Sequence, residues 1–228
     1  MNKIVIAIDG FSSTGKSTVA RLLAKELSYI YVDTGAMYRA VTYFALKNDL
    51  ICKGEIDRVK LNAQLEDIHI NFKLNNNSNI AEVYLNGINI ETDIRTLKVS
   101  QHVSHIAEIS AVRRKLVQQQ QLMGKDKGVV MDGRDIATVV FPDAELKIFM
   151  TASAETRATR RYKELLERGH NLSYDEVLQN VVTRDEIDST REDSPLKKAD
   201  DAIEFDNSDM TIEQQLEAIR KLVEQKLA

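Results

Sequence analysis

The chain has 228 residues, 43% hydrophobic and 29% charged, with a formal net charge of −4, which fits a compact α/β domain with room for a small insert and no need of covalent staples. Its single cysteine, Cys52, excludes an intrachain disulfide, and no apolar run approaches the roughly 20 residues of a membrane span. A negative balance without tryptophan argues against a nucleic-acid binder but not against nucleotides, for which the placement of arginines matters more than their sum.

Met1-Asn2-Lys3 leads straight into an apolar strand rather than a signal peptide, so the expected location is the cytosol, with no membrane partner. That strand, Ile4 to Ile8, is apolar at every position, as strands covered on both faces are. Gly10-Phe11-Ser12-Ser13-Thr14-Gly15-Lys16-Ser17 then matches G-x-x-x-x-G-K-[ST] in full. Glycines let successive N–H groups turn inward on a phosphate, and the following helix N-terminus adds positive partial charge. In this pattern Lys16 reaches the β- and γ-phosphates and the Ser17 hydroxyl is a ligand for Mg²⁺, so the segment predicts an ATP or GTP site. Val19, Leu22, Leu23 and Leu27 form the stripe of an amphipathic helix after it.

A second strand, Tyr29 to Val32, ends at Asp33-Thr34-Gly35, and Tyr38 and Arg39 open the next helix. From 62 to 98 the rhythm changes. Ile68, Ile70, Phe72 and Leu74 alternate with polar residues, as do Ala81, Val83 and Leu85. Asn86-Gly87 supplies the positive φ angles of a tight hairpin before Ile88 and Ile90. This predicts a small antiparallel sheet inserted in the α/β domain, with the polar run 75–79 as a loop tip.

The third and fourth strands are Val129 to Met131 and Leu146 to Met150. Asp132-Gly133-Arg134-Asp135 follows the third, at the strand edge where ligands gather in open α/β sheets. Arg134 is there either a phosphate ligand or the partner of Asp132 or Asp135 in an ion pair. Arg157, Arg160 and Arg161 share one helix face, and Arg184, Asp188 and Arg191 another. Such stripes are either surface salt-bridge ladders or cationic clamps over a phosphate cradle. Ala202 to Phe205 is the fifth strand. Ser173 with Glu176 and Thr211 with Gln214 have capping-box spacing, the second opening a polar helix from Ile212 to Leu227. The alternation of strands and helices predicts an open parallel sheet of five strands flanked by helices. No strong candidate for a catalytic base stands out, and none is required if the acceptor is already an anionic phosphate.

The strings Gly10 to Thr18, Asp33-Thr34-Gly35-Ala36-Met37-Tyr38-Arg39, Asp132-Gly133-Arg134-Asp135 with Thr138 to Ala144, and Arg184-Asp185 with Asp188 and Arg191 resemble the bacterial cytidylate kinases essentially from end to end. The resemblance implies a P-loop nucleoside-monophosphate kinase fold. One kinase unit would have its core at about 1–40, 100–152 and 195–228, a monophosphate-binding region with the inserted sheet at about 41–99, and a helical lid at about 153–194. It implies transfer of the γ-phosphoryl group of ATP to CMP and dCMP, with Mg²⁺, by a monomer with small-molecule partners. Gly10, Phe11, Ser12, Ser13, Thr14, Gly15, Lys16, Ser17 and Thr18 would hold ATP. Arg157 and Arg161 would close on it from the lid. Arg39 and Arg134 would hold the acceptor phosphate beside Thr34 and Tyr38. Ser104, Arg113 and Asp135 would read cytosine, and Asp188 with Arg184 and Arg191 the sugar.

Two departures are visible: Thr34 stands where the family often has serine, which keeps the hydroxyl, and Phe11-Ser12-Ser13-Thr14 is less glycine-rich than in many members. The cytosine reading has a chemical basis. Asp135 would accept from the exocyclic amine and Arg113 donate to the ring acceptor, and uracil reverses both. His69, His102, His105 and His170 are expected to be surface or packing residues, Cys52 an inert thiol, and the acidic stretch Glu186 to Asp201 a solvated hinge. A guanine-reading Asn-Lys-x-Asp string, which a GTPase switch would carry, does not occur.

Overall fold

The computed structural model describes residues 3–75 and 80–227. The backbone divides into two compact units, one of residues 1–33 and 120–228 and the other of residues 34–119. The stretch 41–99, with the inserted sheet expected at 62–98, falls inside the second.

The first unit opens with β1 (Val5–Gly10), buried at every position. Helix α1 (Lys16–Leu27) starts right after Gly15, whose φ of 92° only glycine adopts without strain. Its Val19, Ala20, Leu23 and Ala24 are buried. It stops at Ser28, whose left-handed backbone turns the chain into β2 (Ile30–Asp33) while Tyr29 N–H bonds Ala24 C=O at 2.8 Å.

The second unit begins with α2 (Thr34–Lys47), so Thr34 rather than Tyr38 is its first residue. A two-residue hairpin follows, β3 (Ile51–Cys52) against β4 (Glu55–Ile56), turned by Lys53 and Gly54 at φ 50° and 87°. Asp57 caps α3 (Arg58–Ala63) by accepting from Lys60 N–H. The antiparallel sheet is present as β5 (Ile70–Asn75), β6 (Ile80–Leu85) and β7 (Ile88–Asn89). Asn86 and Gly87 have φ 50° and 84°, as the hairpin required. Ile70, Val83 and Leu85 point into the unit, whereas Leu74 near the strand end is exposed. Of the expected loop tip, Asn75 closes β5 and 76–79 lie outside the described residues, as do Met1 and Asn2. Helices α4 (Leu97–Ala107) and α5 (Ser110–Met123) complete the unit, and Gln119 and Lys115 of α5 donate to the Ile70 and Leu65 carbonyls.

The chain then returns to the first unit through β8 (Val129–Gly133) and β9 (Leu146–Thr151). Helices α6 (Ala154–Glu167) and α7 (Tyr174–Thr190) follow, then β10 (Ile203–Asp206) and α8 (Ile212–Leu227). Both capping boxes form, Ser173 with Glu176 and Thr211 with Gln214. The sheet runs β10-β9-β1-β8-β2 and every pairing is parallel. β1 lies at its centre, with β8 on one side and β9 on the other, and the crevice outside the strand ends at such a switch point is where ligands bind. Ile6, Ile8, Val19, Leu23, Ile148 and Val223 belong to one buried core that fixes β1 against α1, each worth about 1.5–3 kcal/mol by burial. Among the described residues no helix is long and apolar enough to cross a membrane.

Candidate active site

The phosphate-binding loop leaves β1 at Gly10, whose φ is 144°. A Cβ there would lie 2.0 Å from the Met150 carbonyl oxygen of β9, so the loop can depart from the sheet only as glycine. Ser13 also has a positive φ of 60°, which compensates for the sparse glycines between Gly10 and Gly15. Inside the loop, Lys16 Nζ donates to Phe11 C=O at 2.5 Å and to Thr14 Oγ1 at 3.3 Å, and Thr14 Oγ1 donates to Phe11 C=O. Lys16 is thus a buried cation held by neutral oxygens. Burial lowers its pKa well below the ordinary lysine value; Arg134 pushes the same way, and Asp132 and Asp9 oppose it. A phosphate would give that ammonium the counter-charge it is short of. The hydroxyl of Ser12 is buried and makes no hydrogen bond among the described residues, leaving a polar atom within the loop for a ligand.

Ser17 donates from Oγ to Asp132 Oδ2 at 2.8 Å, and Tyr31 donates from its phenol to Asp132 Oδ1 at 2.8 Å. Sequence reasoning singled out Ser17 as the metal ligand and left Asp132 out. The pair places a hydroxyl and a carboxylate oxygen together at the start of α1, the hard-oxygen set that Mg²⁺ takes beside a P-loop, so the residues fit the ion. Burial raises the Asp132 carboxyl to about 6, with Asp33 adding to the rise and Lys16 opposing it. Tyr31 fixes that carboxylate from the far side, and no motif announces it.

Asp9 is the other residue missed. Buried at the end of β1, it accepts Ile136 N–H at Oδ1 (2.9 Å) and Ala137 N–H at Oδ2 (2.8 Å). It thereby ties the phosphate-binding loop to the segment after Asp135. That segment is a wide turn: Val140 N–H bonds Asp135 C=O and Phe141 N–H bonds Ile136 C=O, five residues apart, an arrangement frequent at functional sites. Asp135 precedes the turn and is buried.

Arg134 pairs through Nε with Asp188 Oδ2 at 2.8 Å and donates to Gly133 C=O. The carboxylate it hydrogen-bonds thus belongs to α7, and Asp132 acts on it electrostatically. Asp188 was expected in a solvated stretch; it is 3% exposed, because Arg134 and Arg191, 3.9 Å away, compensate its charge. Burial raises the Asp188 pKa, but Arg134, Arg184 and Arg191 together outweigh it and leave the carboxyl below the ordinary value. Arg191 also donates to Ser194 C=O at 2.9 and 2.6 Å. Arg184, on the same face of α7, is half-buried and acts electrostatically on both Asp188 and Lys16.

The arginines of α6 divide. Arg157 is buried, bidentate to Asp185 at 2.9 and 2.6 Å, bonded to Ser12 C=O, and over the Phe11 ring at 5.1 Å. Arg160 donates to Thr14 C=O and to Asn207. Arg161 pairs within its own helix with Glu164 at 2.9 Å, a ladder contact. Of the two lid arginines expected to meet ATP, Arg157 therefore touches the loop; beside it stands Arg160, which was not among them.

In the second unit, Thr34 and Tyr38 are buried on α2 and Arg39 is half-buried. Ser104 is buried on α4. Arg113 of α5 is among the largest fully buried side chains; it donates to Ala107 C=O at 3.0 Å and lies over the Tyr38 ring at 5.6 Å. A guanidinium so buried is costly unless it is held, and the carbonyl and the ring hold it in one orientation.

The sequence profile of the family described as cytidylate kinase matches residues 6–225. A cytidylate kinase of Flavobacterium johnsoniae is 62% identical over 223 residues, covering 98% of this chain and 97% of that protein. A cytidylate kinase of Bacteroides fragilis is 57% identical over 217 residues, covering 95% of each. Among solved structures, an uncharacterized protein from Eubacterium ventriosum superposes with a TM-score of 0.50 at 12% identity over 98% of this chain and 99% of that one, a likeness of fold alone. The matched profile spans both the phosphate-binding loop and the Asp132 to Asp135 strand end, and the chain belongs to the cytidylate kinase family.

Proposed function

We propose that the protein transfers the γ-phosphoryl group of ATP to CMP and dCMP. The observation that carries this reading lies in the first unit. A complete phosphate-binding loop with its buried lysine stands beside a strand end that presents Asp132, Arg134 and Asp135, in a chain of the cytidylate kinase family. Lys16, Arg157 and the loop amides would bind the triphosphate. Ser17 and Asp132 would hold Mg²⁺, which when bound supplies charge neutralisation on the phosphate oxygens. Arg134 would face the acceptor phosphate and Asp135 the cytosine amine, with Arg184, Asp188 and Arg191 toward the sugar. Thr34, Tyr38, Arg39, Ser104 and Arg113 of the second unit, and Arg161 of α6, are proposed ligands on the family resemblance.

The acceptor oxygen is already anionic, so positioning and charge neutralisation suffice and no general base is needed. Asp132 accepts from Ser17 and Tyr31 and serves orientation, not proton abstraction. A coupled ADP-release assay with ATP and Mg²⁺ tests the reading, with CMP, dCMP, UMP, AMP and GMP as acceptors. Turnover with CMP and dCMP far above the rest is expected. Preference for another acceptor overturns the cytosine assignment, and no acceptor-dependent ADP release overturns the kinase reading.

A further inference from the structure

Behind the phosphate-binding loop, on the side formed by the segment after β10, lies a buried polar network that no motif marks. Asn207 is fully buried. Its Nδ2 donates to Thr14 C=O at 2.6 Å and to Gln215 Oε1 at 2.8 Å, and its Oδ1 accepts from Arg160 Nη1 at 3.1 Å. Its own N–H bonds Thr151 C=O, which fixes it to the end of β9. Gln215 is buried too, and its Nε2 donates to Met210 C=O. Arg160 adds a second donor to Thr14 C=O at 3.3 Å and bonds Asn207 C=O at 2.8 Å. Both amide hydrogens and the amide oxygen of Asn207 are used, and the partners fix its orientation: flipped, the amide would set its nitrogen against a guanidinium and its oxygen against a carbonyl.

The consequence falls on the peptide between Thr14 and Gly15. A trans peptide is planar, with its C=O and N–H pointing in opposite directions. Asn207 and Arg160 draw the Thr14 carbonyl toward themselves, so the Gly15 N–H is turned away from them. In a phosphate-binding loop it is the amide hydrogens that meet the anion. Gly15 does little to hold its own orientation, since at a φ of 92° it has no side chain to restrict it. We infer that Asn207 is a positioning residue for the phosphoryl donor, holding the Gly15 amide ready for the triphosphate through the carbonyl on the other end of the same peptide. The inference rests on the reading of the loop as the ATP site.

The test is binding of ATP and of CMP to Asn207→Ala by calorimetry, with the Gly15 amide followed by ¹⁵N NMR. Losing one oriented donor to a charged group weakens binding about 10- to 100-fold. The Kd for ATP is expected to rise by that factor while the Kd for CMP changes less than about twofold. The Gly15 amide resonance, shifted by ATP in the wild type, is expected to respond weakly in the variant. Equal loss of both ligands with a lowered melting temperature would reduce Asn207 to a structural role, and ATP affinity within about twofold of wild type would overturn the inference outright. Arg160→Lys keeps the charge but removes the fork, and is expected to move ATP affinity in the same direction by a smaller factor. Should Asn207→Ala fail to fold, Arg160→Lys decides: unchanged ATP affinity then counts against the inference. Wild-type protein that does not bind ATP overturns the proposed function instead, so the two failures are distinguishable.

Discussion

Asp188 carries two demands that one substitution can separate. By resemblance it is a sugar ligand; by geometry it is the buried counter-ion of Arg134 at 2.8 Å and of Arg191 at 3.9 Å. Only 5% of its side chain and 19% of that of Arg134 is exposed, so the surface-pair discount does not apply. Removing one partner of a buried pair leaves the other charge uncompensated and costs about 3–5 kcal/mol. Asp188→Asn keeps the shape and one acceptor, and loses the charge at a cost of about 1.5–3 kcal/mol. At about 2–4 °C per kcal/mol for a chain of this size, Asp188→Ala lowers Tm by roughly 10 °C, and Asp188→Asn by about half of that. Urea unfolding monitored by circular dichroism, with Arg134→Met and the double variant, closes a double-mutant cycle. The double variant is expected to be less destabilised than the sum of the singles, because neither member of the Arg134–Asp188 pair is left facing a vacant partner, while Arg191 loses its counter-charge in both Asp188 variants alike. A residue serving only as a ligand would leave stability within about 0.5 kcal/mol of wild type while CMP binding fell. That result would refute the pairing argument.

Gly10→Ala places a Cβ 2.0 Å from the Met150 carbonyl oxygen at a φ of 144°, where an L residue is strained as well as crowded; stability should fall by about 2–5 kcal/mol, measured as a urea midpoint, with no rescue by ATP. Asp9 gives a pH signature. Burial raises its carboxyl to about 7 against the opposing amides of Ala137 and Ile136. Its folded pKa thus lies above the unfolded value, so between about pH 4 and pH 7 the native state holds a proton that the unfolded chain has released, and stability falls as pH rises through that window. Thermal melts across it should show a slope approaching about 1.4 kcal/mol per pH unit from this one group, flattened in Asp9→Asn; an unchanged slope in that variant would place the titration elsewhere.

The parts of the fold legible in the sequence are those encoded by neighbours. Strands β1, β8 and β9 announce themselves because each is buried on both faces and therefore apolar at consecutive positions. The sheet of β5 to β7 shows in a period of two and in Asn86-Gly87, and the loop from Gly10 to Ser17 in a fixed spacing of glycines and lysine. The hairpin of β3 and β4 escapes because each strand has two residues, too few for a period, and its turn uses Lys53, a residue rarely found at positive φ. Asp188 was misjudged in its surroundings because acidic neighbours in sequence do not reveal that Arg134, 54 residues earlier, lies against it. Asn207 bonds a carbonyl 193 residues away, and a backbone carbonyl leaves no trace in the sequence of what will bind it.

The same long-range pairing resolves the tension between a net charge of −4 and a polyanionic ligand. Arg134 and Arg157 each answer a carboxylate, Asp188 and Asp185, while Lys16 donates to the neutral oxygens of Phe11 and Thr14. The pairs let guanidinium groups be buried and oriented at the strand ends, where free arginines would turn to solvent. Acidic residues outside the site set the total, and these few set the field a phosphate meets. The pairing also sorts the arginines of α6. Arg157 lies against the loop with Asp185 of α7 as its carboxylate partner, whereas Arg161 pairs with Glu164 one turn away on its own helix. Where the carboxylate stands, on a neighbouring helix or on its own, thus separates the setting of Arg157 from that of Arg161.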